Sequence, residues 1–494
     1  MVSNTSTEPI SDELVALRGV AEELKAIGGA VSLLAWDERT MLPEQGNVGR
    51  ARQMAVMSGL YHDRATSDSV NRAIAAVEDQ DPTNIEAKVL RREFDVATKL
   101  PTEFVSKFAE ARSLSEHAWK GARERNDFAG FAPQIETLVE YSRERAELLG
   151  YETEAYDALH DLFEHGSHAS VLERMFDGLR GPLRALIEQQ PAPDESVLKR
   201  SYDVGVQEQM GRAIIEMLGF DLTAGRLDPT THPFCQTVGG GDVRLTTRYD
   251  QNWLPGSLFS TIHEAGHGIY EQAFHRLALP PTIADAPGLG THESQSRMFE
   301  NIIGRGRPFW QFAYPQLQAA FPAALGDVDL GAFVAAINVS QTSLIRVEAD
   351  ELTYNLHIAA RFELERAMIN GTLKVNDLPE AWNDAYDRWV GIRPTDDKDG
   401  CLQDVHWAAG MFGYFPTYTL GNVYSAQFMA QLRTDMPDLD SQLASGDVLS
   451  MRNWFDEKVY RHGSTKTGAE LVQHVTGGGV DSAPLVAYLT QRFG

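Results

Sequence analysis

Leu258-Phe259-Ser260-Thr261-Ile262-His263-Glu264-Ala265-Gly266-His267-Gly268-Ile269-Tyr270-Glu271-Gln272-Ala273-Phe274 decides how the chain is read. The segment starts at Pro255-Gly256-Ser257 and carries its apolar residues at helical spacing. On a helix His263 and His267, four apart, project from one face, so both imidazoles can reach a single metal ion. Glu264 stands beside such an ion rather than on it, where a carboxylate can take a proton from metal-activated water. A catalytic zinc keeps one position open and therefore needs a third protein ligand. The next candidate cluster is Gly288-Leu289-Gly290-Thr291-His292-Glu293-Ser294-Gln295-Ser296-Arg297, leading into Met298, Phe299, Ile302 and Ile303 at helical spacing. Glu293 falls in the first turn of that second helix, 26 residues after His267, a gap that suits an antiparallel or crossing helix pair. On spacing alone His292 and Glu300 are rival ligands, and Glu293 could instead complement the helix dipole.

Outward from this segment, helical periodicity dominates. Leu14, Leu17, Val20, Ala21, Leu24 and Ile27 mark one buried helix face with Ser11 as its N-cap. Ile135, Leu138, Val139 and Tyr141 to Leu148 mark another, ending at Gly150. Alternation is scarce; the clearest strand is Val243 to Tyr249, after Gly239-Gly240-Gly241. Gln190-Pro191-Ala192-Pro193-Asp194 reads as a loop between helices. The expectation is one mainly α domain over 1–494, with a helical N-terminal part to about 190, a small sheet near the middle, and the metal and substrate motifs within 232–422.

With 494 residues, 43% apolar and 23% charged, the chain has ample material for a core. Seventy acidic against 44 basic side chains give a net charge of −26, which repels phosphate backbones and argues against a nucleic-acid partner. Two cysteines, Cys235 and Cys401, cannot build a disulfide framework or a Cys-rich zinc site. The first residues lack a basic and then apolar leader pattern, and no run approaches the ~20 apolar residues of a membrane span. These features predict a cytoplasmic protein without a membrane partner.

Six ordered motifs carry a resemblance. His232-Pro233-Phe234, Asp242 to Thr246, His263 to His267, His292 to Gln295, Ile345 to Asp350 and Gly400 to Trp407 occur in the order found in the carboxypeptidase Taq family of zinc metallocarboxypeptidases, which the chain resembles. Ala35-Trp36-Asp37 through Pro43 has the family's look too. The resemblance implies that His263, His267 and Glu293 bind the metal and that Glu264 is the general base. It further implies a two-lobed helical fold with a deep substrate cleft, one zinc ion per subunit and a homodimer; cobalt and manganese are rival metals, because His/His/Glu ligation tolerates several divalent ions. Related zinc peptidases place a His and a Tyr late in the chain to steady the oxyanion, which points to His406 with Tyr414 or Tyr418.

A carboxypeptidase must meet its substrate's free C-terminal carboxylate with a cation, and arginine offers a planar two-donor fork. No lysine occurs between Lys199 and Lys374, so the clamp narrows to arginines. Arg346, on a helix-like run from Leu344 to Leu356, is the first choice and Arg244, on the strand, the second. Asp350, four residues after Arg346, would otherwise pair with it on a helix surface. His232 and Gln403 are expected to support the site or hold the substrate backbone. Cys235 and Cys401 are expected to be reduced, and converging motifs could bring them close. The competing readings are a zinc oligopeptidase or dipeptidyl carboxypeptidase with the same channel, and a helical scaffold with structural zinc.

Overall fold

The computed structural model describes residues 10–494. The leader reading rested on residues that largely precede these and lie outside the described residues. Helices account for 67% of the chain, with one three-stranded sheet, so the class is mainly α as expected. The first helix, α1 (Asp12–Thr40), opens on the Ser11 hydroxyl, which accepts the Leu14 N–H at 3.2 Å. Its buried Leu17 and Ala21 meet Val70, Ile74 and Val77 of the helix Asp68–Gln80 and Ala87 and Leu90 of the helix Ile85–Lys99. These residues form a small core of their own. Nearly all the rest of the buried apolar side chains, from Phe104 to Leu489, form a second and much larger core. Two separate cores are the physical content of the two-lobed expectation. The intervening helix Asn47–Ala65 buries none of its 19 residues.

The helix Phe128–Leu149 ends at Gly150, as its apolar spacing requires, and the proline-rich 190–194 stretch is the predicted loop after the helix Ala169–Ile187. The sheet comprises β1 (Gly225–Pro229), β2 (Cys235–Gly239) and β3 (Asp242–Thr247) in the order β1-β3-β2, β1 parallel and β2 antiparallel to β3. The predicted strand is therefore central, and it ends at Thr247 rather than at Tyr249. The edge strand β2 leans on α1, where Gln236 Nε2 donates to Ser32 Oγ at 3.0 Å.

Four further helices position the site. They are α2 (Leu254–Arg276), which carries the two motif histidines, α3 (Leu289–Arg297), α4 (Tyr354–Ile369) and α5 (Pro416–Asp435). At its end α3 widens into a π-helical turn, Met298–Ile303. The expected helix over Leu344 to Leu356 does not form; only the 3₁₀ turn Arg346–Glu348 is helical before Tyr354. Asp350 is the reason. Its carboxylate accepts from Ser340 Oγ and from the backbone N–H groups of Gln341, Leu352 and Thr353, which stops one segment and starts the next. No helix among the described residues is long and apolar enough to cross a membrane.

Candidate active site

The placement of Glu293, the third candidate ligand, depends on where α3 starts. Glu164, 1% exposed, accepts the Gly290 N–H at 2.7 Å and the Tyr424 hydroxyl at 3.2 Å, while the Leu289 N–H donates to the Phe163 carbonyl at 2.8 Å. A carboxyl at the positive end of a helix fixes that end. The anchor starts α3 at Leu289, so Glu293 lies just past the first turn rather than in it. The helix is then gripped from two sides. A Cβ on Gly266 of α2 would stand 2.6 Å from the Gln295 carbonyl oxygen, and one on Gly421 of α5 would stand 2.5 Å from Glu293 Cγ. Only glycine permits either approach.

Between these walls His263, His267 and Glu293 each offer one ligand atom, and the three atoms lie within 4.8 Å of one another. Glu293 Oε2 is 3.7 Å from His263 Nε2 and 3.4 Å from His267 Nε2. Two imidazole nitrogens and one carboxylate oxygen facing a shared point are a donor set suited to a divalent cation with an open position. The rival ligands stand one layer back. Glu300, on the π-helical turn, meets His263 Nδ1 at 2.8 Å, and His292 Nδ1 lies 2.6 Å from His267 Nδ1. Glu293 Oε1 accepts from Arg297 Nε at 2.6 Å and Oε2 from Ser296 Oγ at 2.9 Å. Burial alone would raise the Glu293 pKa, but Arg297 and the two histidines hold it well below the carboxylate range. Glu264 is 6% exposed, and burial, with Glu293 and Glu300 nearby and against the pull of His263, pushes it up to about 7. A carboxyl poised there suits proton transfer near neutral pH.

The late motifs assemble beside this cluster. His406 Nε2 lies 3.3 Å from the Tyr418 hydroxyl, and the His406 and Tyr414 rings are 5.4 Å apart. Burial and Arg346 lower His406 to about 3, so it is a neutral ring. Burial raises both phenols, with Glu293 adding to it at Tyr414, which reaches about 12, and Tyr414 adding to it at Tyr418, so both keep their protons at neutral pH. Arg346 is buried and donates to Asp404 through Nε and Nη2, at 3.0 and 2.8 Å, and to the Tyr354 hydroxyl at 3.1 Å. Its carboxylate partner is thus Asp404 and not Asp350. Arg361 holds the other oxygen of Asp404 at 2.6 Å through Nε. Gln403 is saturated by protein: its oxygen accepts from the Arg346 N–H and Arg361, and its amide donates to the Leu344 and Asp399 carbonyls. Arg244 is fastened to Asp242 and lies over the Trp36 ring, 4.4 Å from its centroid. His232 is exposed in the β1–β2 connection.

The model of the family described as carboxypeptidase Taq (M32) metallopeptidase matches residues 16–493. The chain belongs to the carboxypeptidase Taq family. It is similar to thermostable carboxypeptidase 1 of Thermus thermophilus, 41% identical over 482 residues that cover 94% of each chain. Carboxypeptidase 1 of Bacillus subtilis is 38% identical over 473 residues, again 94% of each. Among solved structures, the M32 carboxypeptidase from Deinococcus radiodurans R1 superposes with a TM-score of 0.95 at 37% identity, covering 98% of this chain and 99% of that one. This chain is accordingly a metallocarboxypeptidase.

Sequence reading missed several residues around the candidate site of this metallocarboxypeptidase. Arg297, Glu271, Tyr354 and Arg361 surround it, and Arg297 lies over the Tyr354 ring, 4.4 Å from its centroid. Two carried a usable signal: Arg297 is four residues after Glu293 and Glu271 four after His267, the spacing of helix neighbours. Tyr354 and Arg361 had none: Tyr354 meets Arg346 across the break at Asp350 and Arg297 of α3, and Arg361 meets Asp404, 43 residues further along the chain. Both cysteines are free, Cys235 half-buried on β2 and Cys401 buried after Gly400, and burial raises both thiols.

Proposed function

We propose that this metallocarboxypeptidase releases single amino acids from the free C-terminus of peptides, with zinc held by His263, His267 and Glu293 and with Glu264 as general base. The convergence of those three ligand atoms next to a buried, unliganded Glu264 carries the reading. Bound there, zinc supplies Lewis acidity to a water and to the scissile carbonyl. Glu264 takes the proton of the attacking water and returns it to the leaving amine. Tyr414 donates to the oxyanion, because its phenol stays protonated; Tyr418, engaged with His406, steadies it. Arg346 meets the substrate carboxylate with the N–H groups that Asp404 and Tyr354 leave open. Arg244 is the weaker candidate, being tied to Asp242. Gln403 serves by holding the Arg346 backbone, and His232, exposed near the sheet, by contacting the peptide chain.

Two nitrogen ligands and one oxygen ligand favour zinc, with cobalt or manganese as rivals that elemental analysis of freshly purified protein separates. A homodimer is supported by the helix Asn47–Ala65, which leaves Val48, Val56 and Leu60 exposed. A cytoplasmic setting is supported by two free thiols. The deciding experiment takes one N-blocked peptide as free acid and as C-terminal amide, with and without chelator, followed by mass spectrometry. Stepwise loss of single residues from the acid alone, abolished by chelator, is expected. Cleavage of both forms would make the protein an oligopeptidase, and release of dipeptides a dipeptidyl carboxypeptidase.

A further inference from the structure

The two metal-binding histidines are supported differently. His263 Nδ1 meets a carboxylate directly, Glu300 at 2.8 Å. His267 does not. Its Nδ1 lies 2.6 Å from Nδ1 of a second histidine, His292, whose Nε2 lies 2.8 Å from Glu271 Oε1; the other oxygen of Glu271 accepts the Thr237 hydroxyl at 2.9 Å. The His267 and His292 rings meet edge to edge through these nitrogens, 4.5 Å between centroids and 27° between planes.

Hydrogen-bond directions along this row are set by its first member. An imidazole that gives Nε2 to a metal carries its proton on Nδ1. His267 Nδ1 therefore donates, and His292 Nδ1 must accept. A neutral His292 that accepts at Nδ1 carries its proton on Nε2 and donates it to Glu271. The row also crosses helices: His267 and Glu271 are on α2, whereas His292 is on α3 next to the ligand Glu293. Locking His292 onto α2 fixes both ligands with respect to each other.

We propose that His292, oriented by Glu271 and Thr237, is a positioning residue that holds His267 in its Nδ1–H form with Nε2 turned to the metal. Partners of this kind typically change metal affinity 10- to 100-fold when removed. The inference rests on the ligand assignment above, and the test separates the two: a wild-type protein that binds no zinc fails that assignment, whereas the variants are judged against a wild type that binds it.

The test uses the geometry of two amides. In asparagine the side-chain oxygen occupies the place of a histidine Nδ1; in glutamine the amide reaches only the place of Nε2. Zinc affinity of the full-length protein is measured by competition with a chromophoric chelator, with far-UV circular dichroism of each metal-free variant as a folding control. His292→Asn keeps an acceptor for His267 and is expected to bind zinc within about threefold of wild type, while His292→Gln loses roughly 10- to 100-fold. Equal losses in both variants would mean a purely structural role and overturn the proposal, as would an unchanged affinity in His292→Gln. Should either variant not fold, Glu271→Gln replaces the charged acceptor and is expected to weaken zinc about tenfold; unchanged affinity there overturns the proposal as well.

Discussion

Replacing Gly421 by alanine should damage the metal site although it improves a helix. In the interior of α5 the change gains about 1 kcal/mol of helix propensity. Against that, the new Cβ would stand 2.5 Å from Glu293 Cγ and 2.7 Å from Glu293 Cβ. Carbon atoms in contact prefer about 3.5–4.0 Å, so α3 must retreat by roughly 1 Å. It has nowhere to go, because on its far side Gly266 already meets Gln295 and Ser296 backbone atoms at distances that leave no room for a methyl group. Overpacking of this kind costs about 1–3 kcal/mol, which outweighs the propensity gain. A shift near 1 Å in a reacting constellation costs on the order of 100-fold in rate. The expected outcome for Gly421→Ala is a fold that survives, zinc affinity reduced at least about tenfold, and kcat/KM reduced about 100-fold. Chelator competition, peptide hydrolysis and urea denaturation measure the three quantities. Gly19→Ala is the control: it is exposed in the interior of α1 where a Cβ meets nothing within 4 Å, and it should add about 0.5–1 kcal/mol of stability. Wild-type zinc affinity and activity in Gly421→Ala would refute the claim that α3 is held between two glycines.

Glu264→Gln should keep zinc binding and lose about 10²- to 10⁴-fold in kcat, read by chelator competition beside steady-state hydrolysis; full activity would remove Glu264 as the base. Asp404→Asn leaves the buried Arg346 and Arg361 without their shared carboxylate and should cost about 3–5 kcal/mol in urea denaturation at pH 7. Burial opposes its charge, but Arg346 and Arg361 hold Asp404 well below the usual carboxylate range, so its contribution is present above about pH 4 and fades as pH falls further. Glu164 has the opposite sign. Burial pushes it up to about 7, so between pH 4.5 and 7 the unfolded chain releases a proton that the native one keeps, and stability falls by up to about 3 kcal/mol. Glu164→Gln should lessen that fall, an effect seen as a smaller difference between denaturation at pH 4.5 and pH 7.5; an unaltered pH dependence would show that Glu164 ionises normally.

Local patterns in the sequence were legible because their causes are local. Ser11 and Gly150 bound helices through their own side-chain or backbone preferences, and the i, i+4 histidines of α2 share a face whatever surrounds them. Glu293 could be proposed, but its separation from His292 and Glu300 needed the depth of each residue behind the ligand face, which spacing does not encode. The segment from Leu344 failed for a related reason: its apolar spacing is helical, but five donors converge on Asp350 and pull the backbone out of register. The partner of Arg346 is 58 residues away in the chain, and the parallel pairing of β1 with β3 spans two loops. Such contacts are decided by how the helices pack and leave no periodic trace.

The grip on α3 also orders events at the ribosome. His263 and His267 leave the exit tunnel first and Glu293 follows 26 residues later, but the wall that seats Glu293 belongs to α5, which begins only at Pro416. At 5–20 residues per second the interval between Glu293 and Gly421 is on the order of 10 s. Throughout that time the nascent chain displays both imidazoles and the carboxylate on helices that are not yet braced against each other. The braced arrangement of His263, His267 and Glu293 therefore cannot form until synthesis is nearly over.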